Sequence, residues 1–163
     1  MIVVSNTSPI LNLAAINRLD LLQKLYGKIV IPQAVYDEIV VAGAGQVGAD
    51  EVAGSQWFEV KQVTNHPMVK SLEIELDIGE AEAVVLAVEL NTQLLLMDER
   101  KGRMVAKRLG INHIGLLGVL VKAKHEGLIP VVGPIIDSLR TKAGFWISQA
   151  LYDHILLVTG ERE

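Results

Sequence analysis

Residues 94–97, Leu-Leu-Leu-Met, form a short apolar run with helical pattern on both sides, and that arrangement leaves few folds open. An unalternating run of this length reads as a strand buried on both faces. Residues 2–4 (Ile-Val-Val) and 28–31 (Lys-Ile-Val-Ile) repeat the pattern, 112–115 adds another short strand, and 57–63 alternates enough to be an edge strand. Helical spacing fills the intervals. A helix is expected over 9–25, with Leu11, Ala14, Ala15, Leu21, Leu22 and Leu25 on one face and Gly27 closing it. Pro32 opens another at a position where a missing N–H costs nothing, and Val35, Ile39 and Ala42 share its face. Residues 43–56 carry four glycines and read as a loop enclosing a short helix near 48–53. A helical run follows Pro67, and further helices are expected from Glu80, over 99–109, 116–125 and 133–143, and over 149–158 behind an N-cap at Ser148. Strands alternating with helices give an α/β fold with a mostly parallel sheet.

Composition narrows the function more than the fold. With 163 residues, half of them hydrophobic and 21% charged, the chain suits one ordered domain spanning 1–163. Aromatics are 4% of residues, so the core falls to Val, Ile, Leu and Ala, and the absence of cysteine removes disulfides, thiolate metal sites and thiol nucleophiles. No apolar stretch approaches the ~18–20 residues of a membrane span, and MIVVSNTSPI lacks the basic start of a secretory leader, so a cytoplasmic protein with no membrane partner is expected. A net charge of -4 argues against coating nucleic acid by bulk attraction, and leaves room for a local basic patch.

The candidate chemistry lies in oxygen-bearing residues at strand ends and at the helix starts behind them. Asn6 follows the first strand, Glu38 lies in the helix after the second, Glu80 opens its helix, and Asp98 follows Leu94–Met97. Taken singly, each has an ordinary explanation: Asn6 as a turn residue, Asp98 as an N-cap, Glu80 as a favourable charge at a helix start. Glu80, however, shares its helix face with Val84 and Ala87, while Glu82 and Glu89 take the opposite side. In a parallel sheet all four positions fall on one edge, the edge where open α/β sheets bind ligands. Clustered carboxylates repel one another and call for a cation, and oxygen-only donors favour Mg²⁺ or Mn²⁺. His66, His113, His125 and His154 show no metal-ligand spacing. Directly after Asp98, Arg100, Lys101, Arg103, Lys107 and Arg108 place five of fifteen cations within nine residues, either a solvated face or a phosphate-binding rim. Dinucleotide, Walker A and nucleophile-elbow motifs are absent.

VVSNTSPI, IPQAVYDEI, GEAEAVVLAVEL and LLLMDERKGRMVAKRLG together resemble the PIN-domain family, metal-dependent nucleases found in many prokaryotic toxins of toxin–antitoxin pairs. The tail segments GLLGVLVKAKHEGLI and GFWISQALYDHILLVTGE are similar to one of its predicted nucleic-acid-binding subgroups, so the resemblance covers essentially the whole chain. It implies a three-layer α/β/α fold and a ribonuclease site of Asn6, Glu38, Glu80 and Asp98. In that site Asn6, Glu80 and Asp98 hold Mg²⁺ or Mn²⁺, Glu38 orients water or a second ion, and Ser8, Arg100, Lys101 and Arg103 hold RNA. It also implies a homodimer and an antitoxin partner. One departure matters: the family's first acid is normally Asp, and Asn6 stands there instead. An amide oxygen can ligate a hard cation but brings no charge and takes no proton from water. The alternative is therefore a catalytically weakened PIN fold that binds RNA or a partner without cutting.

Overall fold

The computed structural model describes residues 1–162, so an expected domain limit at 163 lies one position outside the described residues. Five parallel strands form one sheet in the order β3-β2-β1-β4-β5, with β1 at Val3–Ser5, β2 at Ile29–Pro32, β3 at Phe58–Lys61, β4 at Leu94–Leu96 and β5 at His113–Ile114. Val4 sits opposite both Val30 and Leu95. The two-residue period of a strand then divides the apolar runs between the faces. Val3, Ile29, Ile31 and Leu96 enter one core, while Val4, Val30, Leu95 and Met97 enter the other.

The first core is covered by α1 (Thr7–Ala15), α2 (Asp20–Tyr26), α8 (Leu116–His125), α9 (Gly133–Lys142) and α10 (Gln149–Val158), the second by α5 (His66–Leu72), α6 (Ile78–Glu89) and α7 (Arg100–Arg108). The result is a three-layer α/β/α architecture. The buried apolar side chains are Val, Ile, Leu and Ala with Met97, the aliphatic core that the scarcity of aromatics implies. No helix among the described residues is long and apolar enough to cross a membrane.

The helix expected over 9–25 is two helices. Asn17 takes a left-handed backbone (φ 60°), and the chain turns between Ala15 and Asp20. Because α1 starts at Thr7, directly on the strand end, Ile10 and Leu13 face the sheet, and Leu11 and Ala14 are only half buried. The segment after β2 also departs from expectation. Pro32 completes the strand, α3 covers Gln33–Tyr36, and the backbone then widens into a π-turn over Asp37–Val41. That extra residue per turn carries Ala42 out to solvent while Val35 and Ile39 remain buried. A short helix, α4 (Ala49–Gly54), occupies the glycine-rich segment.

For the site, the decisive feature is the direction change beside β1. The chain leaves β1 into α1 on one face and leaves β4 into α7 on the other, which opens a crevice at the carboxyl ends of neighbouring strands.

Candidate active site

Asn6, buried at the end of β1, is fixed through both its backbone and its side chain. Its N–H donates to Leu96 O (3.0 Å), and its amide Nδ2 donates to Met97 Sδ (3.5 Å). Its carbonyl Oδ1 then faces the start of α6. Thr7 Oγ1 donates to Glu38 Oε2 (2.8 Å), so an α1 hydroxyl holds the π-turn's acid over the same crevice. Asp37 turns outward and accepts from Gln33 Nε2.

The α6 start is a capping box: Asp77 Oδ1 accepts the Glu80 N–H (2.8 Å) and Glu80 Oε1 accepts the Asp77 N–H (2.9 Å). The helix therefore opens at Ile78 rather than Glu80, and Asp77 joins the site. Gly79 is what lets these groups meet. A Cβ there would lie 3.0 Å from Glu38 Oε2, 3.5 Å from Asp77 Oδ1 and 3.7 Å from Asn6 Oδ1, so the missing side chain leaves a cradle ringed by three oxygens. Burial raises the Glu80 carboxyl above its ordinary range; the Asp77 N–H opposes this, and the nearby charges of Asp77 and Glu99 add to it.

Asp98 does not join this group. Its Oδ1 accepts the Leu116 N–H (3.0 Å), capping α8 in place of the missing side chain at Gly115. It lines a separate cavity of about 400 Å³ together with Arg103 and His113. A Cβ at Gly115 would stand 2.9 Å from Asp98 Oδ1 and 3.2 Å from an Arg103 guanidinium nitrogen, so both side chains close over that turn. The loop after β4 thus turns Asp98 and Arg103, expected as metal ligand and phosphate contact, to the α8 side, and the structure does not bring them together with Asn6, Glu38 and Glu80. The loop's next acid, Glu99, points into the crevice instead. Asp98 also does not cap α7, whose N-cap position is Glu99.

The crevice is a groove made of two confluent hollows. One, about 490 Å³, is walled by Asn6, Thr7, Ser8, Glu38, Asp77 and Glu99, with Lys142 across from them. The other, about 510 Å³, is walled by Glu75, Asp77, Glu80, Glu99, Arg100 and Lys101. Asp77 and Glu99 belong to both. Ser8 accepts from Asn12 Nδ2 (3.3 Å), and Arg108 is drawn aside by Glu75 (2.8 Å). Among the described residues, Glu38, Asp77, Glu80 and Glu99 take part in no ion pair.

The donor set fits a hard divalent cation, being oxygen throughout with an excess of negative charge. Among the described residues no three His, Asp or Glu side chains already close on one point, and the tightest gathering is the amide and two acids around Gly79. Asp77, Thr7 and Glu99 are the groove residues that sequence reasoning missed. The spacing Asp77-x-x-Glu80 carries a capping-box signal that would have found the first; nothing in the sequence separates Glu99 from its neighbour Asp98.

A family model described as PIN domain matches residues 2–161 of the chain. No curated protein matches it.

Proposed function

Because the chain belongs to the PIN-domain family, whose members are nucleases and generally depend on divalent metal, we propose that it is an endoribonuclease that hydrolyses RNA phosphodiesters in this acidic groove. One observation carries the reading: an amide oxygen from the end of β1 and four carboxylates from the π-turn after β2, the start of α6 and the loop after β4 share one groove, and among the described residues those carboxylates take part in no ion pair. Glu38, Asp77 and Glu99 hold the cation, Mg²⁺ or Mn²⁺, with Asn6 Oδ1 as a neutral donor. When bound, such an ion lowers the pKa of a water and offsets charge on the phosphate. Thr7 keeps Glu38 in place. Glu80, anchored through Oε1, has a carboxylate strengthened for proton uptake at Oε2. Arg100 and Lys101 hold backbone phosphate at the far end of the groove.

The test is Mn²⁺-dependent cleavage of single-stranded RNA by wild type and by a Glu38→Gln, Glu99→Gln variant. Both residues are exposed, so the fold is spared. Equal rates for the two proteins reject the site.

The reading as a binding module that no longer cuts rests on Asn6. Its amide nitrogen is committed to Met97, so an amide is built into the position. Asp77 favours the nuclease, since it returns to the groove one acid that the count of Asn6, Glu38, Glu80 and Asp98 left out. Asn6→Asp separates the two readings: a large gain in metal affinity and cleavage supports a decayed site, and no gain supports a working one.

The reading extends to partners and place by the resemblance to PIN-domain toxins: a homodimer, a restraining antitoxin protein and action in the cytoplasm. On α10, Leu157 and Val158 are exposed, while Ile155 and Leu156 belong to the interior. Sedimentation of wild type against Leu157→Ser, Val158→Ser tests the dimer.

A further inference from the structure

Beside Glu38 and Asp77 lies an apolar trough of about 660 Å³ built from Ala34, Val41, Ala42 and Ile78, lined by neither Arg100 nor Lys101. Glu38 and Asp77 form its inner wall, so it opens into the acidic groove through the residues that define it. Val41 is 64% exposed and Ile78 55% exposed, two large aliphatic side chains turned to solvent at the rim of one hollow. Each stands beside a groove acid: Val41 ends the π-turn that carries Glu38, and Ile78 follows Asp77.

We infer that this trough seats a nucleobase of single-stranded RNA next to the phosphate being cut; the inference rests on the nuclease reading. Charge excludes the phosphate backbone as the occupant. Among the described residues, the ionisable ones lining the trough are Asp37, Glu38 and Asp77, all acids, with no Lys or Arg. What complements apolar floor and carboxylate wall is a neutral flat ring with N–H groups on its edge. A nucleobase is such a ring, since its amino and ring N–H groups donate while carboxylates only accept. Continuity supplies the rest. The groove runs from this trough, through Glu38 and Asp77, past Glu99, to Arg100 and Lys101. A strand laid along it places a base at the apolar end, a phosphate at the basic end and a phosphodiester at the acids between. In this trough the base is gripped by aliphatic contact rather than by stacking on an aromatic ring.

Fluorescence anisotropy decides the matter, with Ca²⁺ replacing Mn²⁺ to hold cleavage in check. Wild type and a Val41→Ser, Ile78→Ser variant are titrated with a short single-stranded RNA and with the same strand made abasic. Wild type is expected to prefer the base-bearing strand by roughly tenfold, and the variant to lose that preference while binding the abasic strand unchanged. Equal affinity of both proteins for the base-bearing strand overturns the trough. Unchanged RNA affinity with an altered sedimentation coefficient makes it a protein-docking face and overturns it equally. The nuclease reading is judged apart, by Mn²⁺-dependent cleavage. If wild type cleaves and the variant keeps its KM, the trough fails and the nuclease stands. If wild type does not cleave, the nuclease fails and the seat beside a cut phosphate fails with it, while loss of the base preference in the variant alone still marks the trough as the base contact.

Discussion

At the start of α6, Glu80 accepts one backbone N–H, from Asp77, and lies in the field of Asp77 and Glu99. At the start of α9, Glu161 accepts the Val132 and Gly133 N–H groups at 2.8–3.0 Å and pairs with Lys124 at 2.9 Å. Both are carboxylates removed from water at a helix N-terminus, where backbone donors favour negative charge. Burial raises both. At Glu161 the hydrogen bonds from Gly133, Lys124 and Val132 override it and bring the carboxyl down to about 2. At Glu80 one N–H does not, and the neighbouring acids push the same way as burial. Glu161 thus has every partner it needs, and it ties the chain terminus to α8 and α9. Glu80 and its neighbours carry charge that the fold leaves uncompensated, which is the condition for holding a cation.

The sharpest way to break this comparison is to remove charge at the groove and follow the chemistry. Glu38→Gln with Glu99→Gln is expected to slow Mn²⁺-dependent RNA cleavage by about 100-fold or more, measured as kcat/KM. The same variant should lose stabilisation by metal. In wild type, Mn²⁺ at a hundredfold over its Kd adds about 2.7 kcal/mol, seen as a rise in Tm.

Stability without metal separates the two acids by sign. Glu161→Gln costs about 2–3 kcal/mol in denaturant melts, the loss of charge-assisted hydrogen bonds to two backbone donors and an ammonium. Glu80→Gln, by contrast, raises the metal-free Tm, because it removes a charge the site disfavours. The pH dependence follows. The Glu161 carboxyl is lower in the fold than its ordinary value of 4.5, so its contribution is complete above that pH and fades as pH falls toward about 2. The Glu80 carboxyl is higher in the fold, so its cost is present near neutrality and fades as acid protonates it. A Glu80→Gln protein that melts below wild type in EDTA at neutral pH would sink the contrast.

The parts of the molecule legible in the sequence are those set by local pattern. Unbroken apolar runs marked β1, β2 and β4, the helical pattern over 116–125 gave the bounds of α8, and Ser148 bounded α10 at the expected residue. Asn6 and Glu38 lie along one groove because a parallel sheet puts its strand ends on one edge, and Glu80 joins them because the start of α6 packs against both. What stayed hidden depends on backbone detail. The π-turn after Tyr36 is one extra residue in a helical pattern, and the break at Asn17 rests on a single positive φ. Asp77 caps a helix that begins at Ile78, two residues before the start that the pattern from Glu80 suggests. The choice between Asp98 and Glu99 depends on how the short loop leaves β4, and α8, which receives Asp98, comes eighteen positions later.

That choice gives the smallest expected effect and the most direct check on the groove's membership. Asn caps a helix about as well as Asp, so Asp98→Asn should preserve the bond to the Leu116 N–H and cost only a few tenths of a kcal/mol. Since the side chain lies in the cavity with Arg103 and His113, removing its charge should leave cleavage within about twofold of wild type, against the hundredfold expected for groove acids. Asp98→Ala adds the structural half: it removes the cap and lowers stability by about 0.5–2 kcal/mol, again with little change in metal affinity. An Asp98→Asn protein that melts like wild type yet loses cleavage and Mn²⁺ stabilisation together would move the acid back into the groove, and Glu99 would then be the residue on the solvated face.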